Sequence, residues 1–222
     1  MNSRQSLLQT LATQILTVPT QNVLRVAIDG VDGAGKTVFA DELALILAAA
    51  DRPIIRAGID SFHNPRAVRY RRGATSPEGF FHDSYNYPVL KELLLEPLSP
   101  EGNGQFQRGA FDHRSDKPLD FPLETSATNA ILLFDGIFLH NTELRNYWDF
   151  SIFLEVGFAI SIPRGAQRGE GSPDPLAPSN RRYVEGQKLY LSHCRPHAIA
   201  TVVVNNEDMD NPFFARGPAR GH

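Results

Sequence analysis

"AIDGVDGAGKTVFADELA", residues 27–44, is the stretch on which the fold turns. Gly30, Gly35, Lys36 and Thr37 fit the spacing G-x-x-x-x-G-K-[ST]. That spacing lets backbone amides converge on phosphate oxygens, with a lysine for the outer phosphates and a hydroxyl for Mg²⁺. The flanks agree with it. "VLRVAI", residues 23–28, is apolar and β-branched and predicts a buried strand. "VFADELALILAAA", residues 38–50, spaces its apolar residues as a helix does. A strand, a glycine loop and a helix in that order put the loop at a helix N-terminus, where the helix dipole favours an anion. Gly30, Val31, Asp32, Gly33, Ala34, Gly35, Lys36, Thr37 and Val38 are therefore the expected ATP contacts.

Outward from the loop, apolar strands alternate with helical stretches. Strands are expected at "RPIIRAGI" (52–59), "NAILLFDGIF" (129–138), "DFSIFLEV" (149–156) and "ATVVVNN" (200–206). Helices are expected over 6–16, with Leu7, Leu8, Leu11, Ile15 and Leu16 on the apolar face, and at "YPVLKELLLEPL" (87–98) and "RRYVEGQKLYLSHC" (181–194). "QFQRGAFDHRSDKP" (105–118) reads as a small irregular or hairpin insertion. The Gly- and Pro-rich segment 164–179 reads as a mobile loop, and "ARGPARGH" (215–222) as a frayed tail. The expected fold is α/β: a P-loop NTPase with a five-stranded, mainly parallel sheet flanked by helices. It forms a single domain over 1–222, with a lid at about 164–182 and an acceptor-site insertion at about 60–120.

Composition narrows the partners. The chain has 222 residues, a net charge of −3 and one cysteine, Cys194, so an internal disulfide and a multi-cysteine zinc site are excluded. No Lys/Arg block forms a nucleic-acid footprint. No apolar run is long enough for a bilayer, and the opening "MNSRQSLLQTLATQIL" lacks the charged and apolar regions of a signal peptide. The expectation is a cytoplasmic protein whose partners are MgATP and a small-molecule acceptor, without nucleic acid or membrane. A homo-oligomer is compatible with the sequence.

In parallel sheets ligands gather at the carboxyl ends of the strands. Asp135 closes "ILLFD" and has the form of a Walker B acid, a partner for Thr37 on Mg²⁺. Asp60, in "GIDSFHNP", follows the second strand and can orient or deprotonate an acceptor hydroxyl. By spacing alone Asp60 reads first as an N-cap or turn residue.

"GVDGAGKT", "DSFH", "FDH", "LLFDGIFLHNTELRNYWDFSIFLEV" and "RRYVEGQKLY" occur in the order found in the uridine kinase-like P-loop kinases, a group related to phosphoribulokinase and bacterial pantothenate kinase. The resemblance covers residues 23–208. It implies ATP-dependent transfer to a hydroxyl of a small metabolite, with a nucleoside among the acceptor classes. It implies that Asp60 is the catalytic acid, with Lys36 and Arg168 beside it, and that Arg164 and Arg168 are lid arginines on the ATP phosphates. Phe62, His63, Asp83, Phe111, His113 and Arg114 fall at the acceptor site. Two departures stand out. Where uridine kinases carry Asp-His-Pro-Asp this chain has "FFHD", so Phe80 stands near the ribose position and only Asp83 matches a carboxylate, with Glu78 one turn away. The lid stretch "IPRGAQRGEGSPDPLAPSNRR" contains Pro163, Gly165 and Gly169 where the family has a continuous helix. Two other readings remain: a nucleoside monophosphate kinase of the thymidylate kinase type, and a nucleotide-binding protein without kinase turnover.

Overall fold

The computed structural model describes residues 3–169 and 171–217. In chain order, α1 (Ser3–Leu16) leads into β1 (Leu24–Gly30) and α2 (Lys36–Leu47), then β2 (Ile54–Gly58). Three short helices follow: α3 (Arg66–Arg69), α4 (Pro77–Asp83) and α5 (Tyr87–Leu90), the last continued by a π turn over Lys91–Leu95. Two small two-stranded ribbons come next, β3 (Gln105–Phe106) with β6 (Glu124–Thr125), and β4 (Phe111–Asp112) with β5 (Lys117–Pro118). The chain then returns to the main sheet through β7 (Ile131–Gly136) and β8 (Phe150–Glu155). It ends with α6 (Phe158–Gln167), α7 (Arg181–Cys194), α8 (Pro196–Ile199), β9 (Val202–Asn205) and β10 (Phe213–Arg216).

The main sheet has the order β10-β9-β8-β1-β7-β2. Five of its strands, β9, β8, β1, β7 and β2, are parallel, as the alternation of strands and helices predicts. The sheet nevertheless has six strands, not five. β10 runs antiparallel to β9, and it includes Ala215 and Arg216 from the stretch expected to fray. The reversal is local: the Asp208 carboxylate accepts from the amides of Asp210 and Asn211 at 2.9 and 3.3 Å, an Asx turn that folds the chain back on the open edge of β9. The rest of that tail, 218–222, lies outside the described residues.

Every residue of β1 is buried, because helices cover both faces of the sheet. One core joins α1 and α2 to the sheet through Leu11, Ile15, Phe39 and Leu43. The other packs α4, α5 and α7 on the opposite face through Phe80, Phe81, Leu90 and Tyr190. Leu16, expected on the buried face of α1, is 38% exposed at its last position.

The lid departs from its expectation at one end. Residues 158–167 are helical straight through Pro163, so Arg164 and Gly165 belong to a helix and not to a loop. Pro163 is tolerated because the bond its missing N–H forfeits would reach only the first turn of α6. The helix stops where Gly169 takes a left-handed φ of +87°. Beyond it, Asn180 fastens the irregular segment by donating to the carbonyls of Ser172 and Asp174 at 2.7 and 2.8 Å.

Candidate active site

The glycine loop has the conformation that the sequence pattern requires. Gly33 and Gly35 adopt φ of +74° and +86°, the region that favours glycine. A Cβ on Gly33 would lie 2.0 Å from the Ser161 carbonyl oxygen of α6, so no other residue fits there. α2 begins at Lys36, directly after the loop, so the cradle lies at a helix N-terminus. The cradle encloses about 140 Å³ and is lined by Gly33, Gly35, Lys36, Thr37, Asp60, Asp135 and Arg168 among others. Lys36 Nζ donates to the Val31 carbonyl at 2.9 Å, across the loop. Val38, also in the first turn of α2, is 44% exposed and does not line the cradle.

Strand register brings the acid to the hydroxyl. β7 lies between β1 and β2, with Asp135 level with Ile28 and Gly58. Thr37 Oγ1 donates to Asp135 Oδ2 at 2.7 Å. The other carboxylate oxygen takes Arg56 Nη2 at 3.0 Å, and Arg56 also donates to the Leu133 carbonyl at 2.7 Å and pairs with Asp41 at 2.9 Å. Arg56 was not singled out from sequence; a charge in the interior of the apolar run "IIRAGI", residues 54–59, was its one signal. Among the described residues no group of three His, Cys, Asp or Glu side chains could hold a metal by itself. Thr37 and Asp135 are hard oxygen donors suited to Mg²⁺, which fills its shell with waters and substrate phosphates.

The two expected lid arginines separate. Arg168 lines the cradle. Arg164 turns to the loop after β9, donating to the carbonyls of Asn206, at 3.1 Å, and Glu207.

A second, larger cavity of about 540 Å³ opens from the cradle, and Asp32, Asp60 and Ile137 line both. Asp60 sits in a 3₁₀ turn (Ile59–Phe62) directly after β2. Tyr85 Oη lies 3.4 Å from Asp60 Oδ1, and His63 Nδ1 donates to the Asp60 backbone carbonyl at 2.9 Å. His63, Phe80, Tyr85, His113, Asn180 and Tyr183 form much of the wall. Burial lowers the His63 pKa, and the bond to the Asp60 carbonyl offsets this only in part. Burial, followed by the nearby Asp60 charge, raises the Tyr85 hydroxyl well above its ordinary value.

The remaining residues expected here are placed differently. Phe62 is a core side chain, 1% exposed, and Phe111 is buried in β4; neither lines the cavity. Arg114 lies in the tip of the β4–β5 ribbon, where its amide donates to Asp112 Oδ1 at 3.0 Å. Asp83 is the sharpest contrast. Its side chain is 1% exposed and takes Arg71 Nη2 at 2.5 Å and Arg72 Nε at 2.7 Å. Burial pushes its pKa up, but the hydrogen bonds and charges of Arg71 and Arg72 outweigh burial and hold it below the usual carboxylate range. That carboxylate fastens the loop before α4 and does not face the cavity.

Helix α7 joins the parts. Arg182 donates to the carbonyls of Gly73 and Ser76, both at 3.1 Å, and Arg69 at 2.7 Å, pinning the loop between α3 and α4 to α7. Tyr183 reaches the cavity wall. One turn on, Gln187 Oε1 accepts from the Asp32 amide at 2.6 Å. Tyr190 Oη donates to Asp29 Oδ2, which also takes His140 Nδ1 at 2.6 Å, while Asp29 Oδ1 accepts from the Gly30 amide at 2.7 Å. Asp29 is fully buried under the loop. Its one signal in the sequence was a carboxylate interrupting an apolar strand.

No protein-family model matches the chain, and no curated protein does. Solved structures do. A possible uridine kinase from Bacillus stearothermophilus superposes with a TM-score of 0.71 at 22% identity, over 90% of this chain and 97% of the other. A candidate fructose transport system kinase from a Silicibacter species superposes with a TM-score of 0.67 at 21% identity, over 83% of this chain and 94% of the other. At these identities the likeness is one of fold.

Proposed function

We propose that this chain, which has the fold of the uridine kinase-like P-loop kinases, is an ATP-dependent kinase that phosphorylates a hydroxyl of a small metabolite. The observation that carries the reading is the junction of the two cavities at Asp60: a phosphate-sized cradle with its lysine on one side, an acceptor-sized cavity on the other. Bound Mg²⁺ would neutralise charge on the transferring phosphoryl group. Thr37 and Asp135 are the residues that would hold it. The loop amides and Lys36 bind and orient the donor phosphates and stabilise the charge that develops on them. Asp60 accepts the proton of the acceptor hydroxyl and aims its oxygen at the cradle. Arg168 adds a positive charge at the phosphate end. Ser161 from α6, Asn180 from the lid segment and Tyr183 from α7 line the larger cavity and limit water there.

The reading without turnover draws support from one feature, the engagement of Arg164 with two backbone carbonyls away from the cradle. One experiment separates the two. Purified protein with MgATP is offered nucleosides, sugars, polyols and amino alcohols, and ADP release is read beside ATP-analogue binding by calorimetry. The kinase reading expects acceptor-dependent ADP release that Lys36→Ala abolishes. Tight nucleotide binding with no release above background for any acceptor would favour the non-catalytic reading.

A further inference from the structure

We propose that Arg4, in the first turn of α1, is a positioning residue for the phosphate cradle and acts through the side chain of Asn206. This rests on the reading of the glycine loop as a nucleotide site. Arg4 is 7% exposed and lies 202 residues from Asn206 along the chain. A guanidinium is rarely buried unless bonds hold it there. Its Nε donates to Glu42 of α2 at 2.6 Å, and its Nη1 donates to Asn206 Oδ1 at 3.1 Å and to the Met209 carbonyl at 2.9 Å. The guanidinium also sits 5.4 Å from the centre of the Phe39 ring, near the start of α2.

Asn206 carries the link to the loop. It is fully buried, and its Nδ2 donates to the Ala34 carbonyl at 2.8 Å. An amide side chain can present either end to a neighbour, but an arginine only donates. Arg4 therefore takes Oδ1 and leaves the NH₂ group for Ala34. Ala34 is itself fully buried, so its carbonyl needs a protein partner. In a trans peptide the C=O and N–H point in opposite directions, so holding the Ala34 carbonyl aims the Gly35 N–H away from Asn206. Gly35 lines the cradle and Asn206 does not. The fixed peptide thus offers a donor on the side where phosphate oxygens would bind.

The lock matters because this peptide is one that can turn over. Gly35 has a φ of +86°, and glycine takes either sign of φ at little cost. Without its partner the Ala34 carbonyl is free to rotate and set an oxygen against the phosphate oxygens. Asn206 is fixed from other sides as well: its amide donates to the Glu155 carbonyl at 3.0 Å, and its own carbonyl accepts from Arg164. Ser3 Oγ donates to the Asp210 carbonyl and to Asn211 Oδ1, both at 2.9 Å, so α1 grips the rest of the same loop. α1 therefore serves the donor site although no residue of it lines the cradle.

The test is a double-mutant cycle by calorimetry on the full chain. An MgATP analogue is titrated into wild type, Arg4→Met, Asn206→Ala and the double variant, with melting temperatures read alongside. Each single variant is expected to weaken binding by about fivefold to tenfold, the scale of a lost buried hydrogen bond. Because Arg4 acts through Asn206, the double variant should bind no more weakly than Asn206→Ala alone. Arg4→Lys, which keeps a donor for Asn206, should recover part of the loss. If the deeper truncations fail to fold, Arg4→Lys and Asn206→Ser form the same cycle, with the same pattern at smaller size. Losses that multiply in the double variant would overturn the inference, since they mark two independent defects. Wild type that binds the analogue while either single variant binds it equally well would overturn this inference alone. Wild type that binds no analogue removes the nucleotide reading, and this inference with it.

Discussion

Gln187 holds the glycine loop from the far side of the cavity: its Oε1 accepts from the Asp32 amide at 2.6 Å, and the side chain is buried. Gln187 Nε2 is fixed in turn by donating to the Tyr183 carbonyl at 3.1 Å. The helix that carries Tyr183 on the acceptor wall thus also sets the backbone of the phosphate cradle.

Gln187 is accordingly a positioning residue. Gln187→Leu should weaken ATP-analogue binding by about tenfold, the scale of a lost buried hydrogen bond with its amide left unpaired. Gln187→Glu keeps an accepting oxygen and should recover most of that affinity. Calorimetry on both variants, alongside their melting temperatures, checks this; equal affinity losses in the two would mark a general loosening of α7 instead.

Asp135 has one oxygen on Thr37 and the other on Arg56. If it serves Mg²⁺, Asp135→Asn should weaken nucleotide binding in the presence of Mg²⁺ by more than it does in EDTA. The same loss under both conditions would mean that Asp135 only braces Thr37 and Arg56.

Asp60 lines both cavities. Asp60→Asn should cut phosphoryl transfer by about 100-fold or more, the range expected for a general base, with ATP affinity little changed. Single-turnover rates beside nucleotide titration would show it. A variant with full transfer activity would remove the proposed base.

Asp83 makes a pH prediction about stability. Its folded-state pKa is held down, chiefly by Arg71 and Arg72 against the opposing effect of burial. A depressed carboxylate contributes stability that is present above its unfolded pKa of about 4 and is lost as pH falls through the folded value. Melting temperature should therefore drop as pH is lowered below about 4. Asp83→Asn should melt lower at neutral pH and should flatten that acid limb. It should also leave ligand affinity largely intact, in contrast to the acceptor contact that a family match at this position implies.

Much of the donor half was legible in the chain. The strand, glycine loop and helix at residues 23–50 are local in sequence, and their geometry follows from local physics: β-branched packing, glycine at positive φ, a helix N-terminus. Asp135 was legible because a carboxylate that closes an apolar strand lies at the carboxyl edge of the sheet; Asp60 took its role from the family resemblance, since by spacing alone it reads first as a cap or turn residue. Strand pairing then brought Asp135 within hydrogen-bond reach of Thr37, 98 residues earlier in the chain.

What only the tertiary structure decided is which polar side chains face the site. Asp83 and Asp60 are the same residue type near the same loop, yet one is sealed under two arginines and the other lines both cavities. Arg164 and Arg168 lie four residues apart on the lid, yet they part ways because α6 persists through Pro163 and stops before Gly169. Gln187 meets Asp32 across 155 residues of chain, and Tyr190 meets Asp29 across 161. Backbone geometry is set by neighbours along the chain, so a motif reveals it. The partner of a charged or polar side chain is set by whichever groups the packed helices bring within hydrogen-bond reach, and burial makes that choice binding because an unpaired polar group there is costly.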